Sequence, residues 1–168
     1  MKVRDLLARE HAMFRRLLDT LEFDLAHPEA RTRAEMSEAL RTLLPALDRH
    51  EELEDLVFEA PPRSRDPREA LARVAEQHRA IGLLRDEILY ELELSEKCPF
   101  ERLRSLSRFL IENLRAHLAT EETLLWPHFR DVLDKTLDLD LANPLHRRAR
   151  VLEKHLRRGL TAIASSFH

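Results

Sequence analysis

Apolar residues recur along this chain in alternating steps of three and four, the spacing of one face of an α-helix, and they do so in four long stretches. The first stretch runs Leu7, His11, Phe14, Leu18, Leu21, Leu25, and the second Leu40, Leu43, Leu47, His50, Glu54, Val57. The third runs Leu71, Val74, His78, Ile81, Leu84, Ile88, and the fourth Leu106, Leu110, Leu114, His117, Glu121, Leu124. Prolines punctuate the stretches. A first helix is predicted from about Val3 to Ala26, ending before Pro28; a second begins within HPEARTRAEMSE and continues to about Phe58, with Pro45 as a point where it can kink. Asp66 followed by Pro67 is an N-cap with proline at the first helical position, starting a third helix that reaches about Ser95. A fourth starts near Pro99 and passes Trp126. Asn143 and Pro144 repeat the start signal for a fifth, to about Ala164, whose apolar stripe (Leu145, Ala149, Leu152, Leu156, Leu160, Ile163) lies opposite a basic face including Arg147, Arg148 and Arg150. Four long helices with short connections predict an all-α fold, an up-down-up-down four-helix bundle over residues 1–133, with an additional C-terminal amphipathic helix in residues 134–168 that packs on the bundle or forms a homodimer contact.

Composition narrows the function more than the fold. At 168 residues the chain is long enough for one substantial core, and only 2 glycines against 43% hydrophobic and 35% charged residues suit a soluble helical protein. A net charge of −3 gives no reason to expect a nucleic-acid or membrane-surface partner, and the basic face of the fifth helix reads as a solvated surface. The N-terminus MKVRDLLARE lacks the apolar run of a signal peptide, and no stretch is apolar for long enough to span a bilayer, so a cytoplasmic location is expected. One cysteine, Cys98, excludes a disulfide framework and a cysteine-built zinc site. No nucleophile with a neighbouring base and no phosphate-binding glycine loop is present.

The anomaly lies inside the stripes themselves. Each carries one histidine where a core residue belongs, and the second and fourth carry a glutamate four residues later. The positions repeat: His11 to His78, His50 to His117, and Glu54 to Glu121 are each 67 residues apart, so the chain reads as two copies of a helix pair. Residues four apart lie one turn apart on the same face, and each H-x-x-x-E can present two ligands to one point. Counted from the helix ends at about 1.5 Å per residue, all four histidines fall within a few ångströms of one level. A single histidine on an apolar stripe is an ordinary hydrogen-bonded core residue. Two carboxylates buried with no lysine or arginine on the stripes beside them are another matter, since each costs several kcal/mol unless a cation compensates it. Metal ions would do so.

These residues resemble the hemerythrin-like, or HHE cation-binding, family, in which a four-helix bundle holds a non-haem di-iron centre. The resemblance covers residues from about 1 to 130, and HxxxEExxLWP at His117 to Pro127 is similar to the family's fourth-helix motif. It implies that His11 and His50 bind one iron, His78 and His117 the other, and that Glu54 and Glu121 bridge the two; Glu51, beside His50, matches a further carboxylate ligand of some members. Manganese or zinc also suit imidazole and carboxylate ligands. The oxygen carriers of the family have a fifth histidine, in H-x-x-x-H on the third helix, and an aspartate five residues after the histidine of the fourth. Here Val74 and Gly82 flank His78 and the second position is Glu122. A four-histidine, carboxylate-rich site is closer to the sensing and redox-reactive branches. The resemblance therefore implies a di-iron protein that binds or reacts with O2, NO or hydrogen peroxide in sensing or stress response, read by a regulatory partner. The alternatives are an enzyme-like role, such as peroxide reduction or iron donation for iron–sulfur repair, and a metal-free helical interaction module. A ferritin-like centre is disfavoured, because no Glu-x-x-His precedes the layer. Gly82, one turn from His78, either leaves room for a small ligand or permits close helix packing.

Overall fold

A computed structural model of the chain describes residues 2–27, 33–59, 62, 66–94 and 100–135. Four long helices make up most of it: α1 (Val3–Ala26), α2 (Arg33–Phe58), α3 (Arg68–Glu93) and α4 (Phe100–Thr120), and a short α5 (Arg130–Leu133) closes the described part. No strand occurs among the described residues. α1 packs on α2 and α4, and α3 on α4 and α2, so the helices form a closed ring around a common core. The expected helix near residues 143–164 and Cys98 lie outside the described residues.

The helix starts and interruptions follow local chemistry. Asp66 Oδ1 accepts a hydrogen bond from the Arg68 amide at 3.0 Å, satisfying one of the donors that the first turn of α3 leaves open. Pro45 sits inside α2 without ending it. It is solvent-exposed, where the carbonyl that loses its amide partner can be hydrated.

The fourth helix departs from the expected regular path past Trp126. It becomes a π turn at Glu121–Leu125 and a 3-10 turn at Trp126–Phe129. Pro127 has no amide to donate, and the Trp126 amide reaches back five residues to the Glu121 carbonyl. The extra residue in the turn shifts the stripe by one. Leu124, expected in the core, is 42% exposed, and Leu125 takes its place at 0%.

Burial follows the stripes elsewhere, although α3 holds Leu71, His78 and Leu84 only partly buried. The core divides into two apolar clusters. The larger gathers Phe14, Leu18, Leu40, Leu47, Ile81, Ile88, Leu110 and Leu114 among others. The smaller, at the other end of the bundle, gathers Leu6, Leu7, Leu53, Val57, Val74, Leu125 and Phe129. Along every helix the polar layer falls between the two, walled from water on both sides.

Candidate metal centre

Six of the seven candidate ligands converge in that layer. Ligand atoms of His11, His50, Glu54 and Glu121 lie within 4.8 Å of one another, and so do those of Glu54, His78, His117 and Glu121. The two groups share the two glutamates and divide the histidines in pairs. α1 and α2 supply His11 and His50, α3 and α4 supply His78 and His117, and the glutamates come from the turn after His50 and the turn after His117. Glu51 is half-buried and falls outside both groups; the charges of His78 and Arg85 act on it. His27 and His128, off the expected layer, belong to neither group.

The convergence is one of lone pairs. His50 Nδ1 donates to Glu10 Oε2 at 2.6 Å and His11 Nδ1 donates to Glu122 Oε1 at 2.8 Å; an ionised carboxylate only accepts, so each proton sits on Nδ1 and leaves Nε2 facing the cluster. His50 Nε2 is 2.6 Å from Glu54 Oε1, and His11 Nε2 is 3.3 Å from Glu121 Oε2. These contacts are close but not aligned as hydrogen bonds. Both Nε2 atoms, His78 Nε2, both nitrogens of His117 and all four carboxylate oxygens of Glu54 and Glu121 are buried without a hydrogen-bond partner. Apart from the one N–H of a neutral His117 these are acceptors, and acceptors facing one another in an apolar interior repel unless protons or cations lie between them.

The titration of the cluster expresses the same tension. Burial opposes charge on Glu54, but the imidazoles of His50, His11 and His78 outweigh it and hold its carboxyl well below the usual range. At Glu121, burial and the neighbouring Glu54 charge push the carboxyl up to about 8. Burial drives the His117 imidazole down to about 3, only partly offset by Glu54. Burial also opposes charge on His50, His11 and His78, yet the carboxylates around them raise all three, His50 most strongly. Protons thus gather at the points where the donor set offers two imidazoles and two shared carboxylates to a cation, a donor set that fits a divalent transition ion at each position.

Glu10 and Glu122 are the site residues that the sequence reading did not assign. Glu10 is 1% exposed. Its signal was a second stripe on α1, Val3, Leu6, Glu10 and Met13, all buried. Glu122 stood out only as the residue in place of the carriers' aspartate, whereas it supports His11 and is itself held by Arg15 at 2.7 Å. Among the described residues Gly82 is not a close-packing glycine: a Cβ there would meet only the Arg85 guanidinium, at 3.8 Å.

A four-helix bundle with histidines and glutamates paired in its core defines a cation-binding helical domain. The chain belongs to the hemerythrin family: the model of the hemerythrin HHE cation binding domain matches residues 2–129. Neither a curated protein nor a solved structure matches it. No helix among the described residues is long and apolar enough to cross a membrane.

Proposed function

We propose that this domain holds two iron ions, one between His11 and His50 and the other between His78 and His117, with Glu54 and Glu121 shared, and that the centre binds or reacts with O2, NO or hydrogen peroxide. The observation that carries the reading is the pair of four-residue groups that share both buried glutamates. Glu51, on the His78 side, is the further ligand in this reading. Manganese or zinc would meet the same donors, and iron is preferred from the family resemblance.

When bound, the ions supply electron exchange and coordination of a small ligand. The chain's own residues set the conditions. Apolar clusters on both sides exclude water from the layer. His78, 19% exposed where the other five residues of the two groups are 0–1%, lines the route to solvent. Gly82 leaves the surface one turn further along α3 free of a side chain. The bundle of residues 1–133 is the sensing unit in this reading, residues 134–168 carry its output to a second copy or a regulatory protein, and the protein works in the cytoplasm in stress response.

The test is metal content per chain after anaerobic purification, for the parent and a Glu54→Ala, Glu121→Ala double variant. About two irons in the parent and few in the variant are expected. No stoichiometric metal in a folded parent would overturn the reading. Reactions with O2, NO and peroxide in excess then separate a sensor, which takes up about one equivalent and stops, from an enzyme, which consumes many.

A further inference from the structure

We infer that the two positions of this centre are built unequal: Glu10 and Glu122 make the His11–His50 position the tightly held one, and the His78–His117 position is the exchangeable one, open to solvent beside His78. The inference rests on the metal-centre reading above and adds to it two positioning residues and an order of binding.

The asymmetry lies in what stands behind the imidazoles. Glu10, itself 1% exposed, accepts from His50 Nδ1 at 2.6 Å. Glu122 accepts from His11 Nδ1 at 2.8 Å, and its other oxygen is fixed by Arg15 at 2.7 Å. A carboxylate behind an imidazole locks the tautomer and ring orientation and makes the coordinating nitrogen more basic, which is typically worth about 10- to 100-fold in metal affinity.

The internal repeat supplies the control. Moving 67 residues along the chain turns Glu10 into Gln77 and relates Glu122 to Asp55. Gln77 is neutral and donates instead to Thr120 Oγ1 at 3.0 Å, while His117 Nδ1 is buried with no partner. Asp55 is exposed on the surface of α2. Among the described residues no carboxylate hydrogen-bonds the outer nitrogen of His78 or His117. Each helix pair therefore contributes one supporting carboxylate, Glu10 from the first and Glu122 from the second, and both stand behind His11 and His50 and neither behind His78 and His117. Exposure divides the same way: of the six residues in the two groups only His78 reaches solvent, at 19%, and the half-buried Glu51 lies on its side of the centre.

The experiment loads the metal-free chain with ferrous ion anaerobically, adds excess of a coloured ferrous chelator, and follows release in time. Two phases of one ion each are expected, separated about 10-fold or more in rate. Glu10→Gln and Glu122→Gln, which preserve shape, should accelerate the slow phase about 10- to 100-fold and leave the fast phase unchanged. His78→Ala should remove the fast ion only. The reverse change, Gln77→Glu, places a carboxylate behind the second pair and should slow the fast phase without depending on a destabilised variant. Two ions leaving at one rate, Glu→Gln changes that move both phases alike, or loss of the slow ion in His78→Ala would each overturn the inference while sparing the metal-centre reading. A folded chain that takes up no ferrous ion would overturn both.

Discussion

Replacing Glu121 by glutamine should stabilise the metal-free protein and destabilise the loaded one. Glu121 is fully buried, its two oxygens have no hydrogen-bond partner, and its carboxyl is pushed up to about 8 by burial and by Glu54. A carboxyl raised above its unfolded value contributes its full stability below that value, 4.5, and loses it as pH rises through about 8. At pH 7 the folded chain must hold a proton that the unfolded chain has given up about 2.5 pH units lower, a penalty of about 3 kcal/mol. Glutamine is neutral at every pH and fills nearly the same volume, so Glu121→Gln removes the penalty, which corresponds to a rise in melting temperature of about 6–12 °C for a domain of this size. At pH 5 the advantage should shrink to about 1 kcal/mol, because the unfolded carboxyl is then also partly protonated. Saturating metal reverses the order: each ion at about 100 times its dissociation constant adds about 2.7 kcal/mol to the parent, and the variant lacks a ligand shared by both positions. Thermal unfolding followed by far-ultraviolet circular dichroism, with chelator and with ferrous ion at pH 5 and pH 7, reads all four conditions. A metal-free variant less stable than the parent at pH 7, or an advantage that does not shrink at pH 5, would refute the reasoning.

Other consequences are open to equally direct measurement. His50, His11, His78 and Glu121 are all raised above their unfolded values, so the metal-free protein should lose stability as pH rises, from about 4.5 on account of Glu121 and from about 6.5 on account of the histidines, whereas loading with metal should release protons to an indicator dye and grow stronger over the same range. Gly82→Ala should raise stability by up to about 1 kcal/mol in denaturant unfolding, since the added methyl meets only Arg85 at 3.8 Å; a loss would mean that the helix cannot accept it. Leu125→Ala should cost about 2–5 kcal/mol and Leu124→Ala under about 1 kcal/mol, and the reverse ranking would remove the π turn from the structure. Arg15→Ala should cost under about 1 kcal/mol of stability, because Arg15 is 42% exposed where it meets Glu122.

The reading from sequence succeeded where a single physical rule governed several residues at once. Apolar spacing located the four helices to within a few residues, and counting from the helix ends put His11, His50, His78 and His117 near one level, where the structure brings them together with Glu54 and Glu121. It failed where two rules competed. The stripe through Leu114, His117 and Glu121 extrapolates to Leu124, but the missing amide at Pro127 and the π turn before it admit one extra residue, and Leu125 is buried instead. Periodicity cannot register such an insertion, because the residues themselves are equally apolar.

Glu10 and Glu122 escaped for a different reason, and it bears on how such a centre is built. A repeat draws attention to what its two copies share, and here they share the inner ligands: a histidine alone, then a histidine and a glutamate. What makes the copies differ is invisible to that comparison until the contacts are known, because Glu10 opposite Gln77 and Glu122 opposite Asp55 look like ordinary variation beside a ligand. In the folded bundle those differences fall on the outer nitrogens of the histidines, two of which are backed by carboxylates while the other two are not. Hydrogen bonds behind a ligand alter basicity and orientation without altering which atoms face the ion. Divergence there can make one position retentive and the other responsive while the inner ligands stay the same. In the proposed centre, that division would let one position keep its metal while the other admits a small molecule, which the shared set of inner histidines and glutamates alone would not.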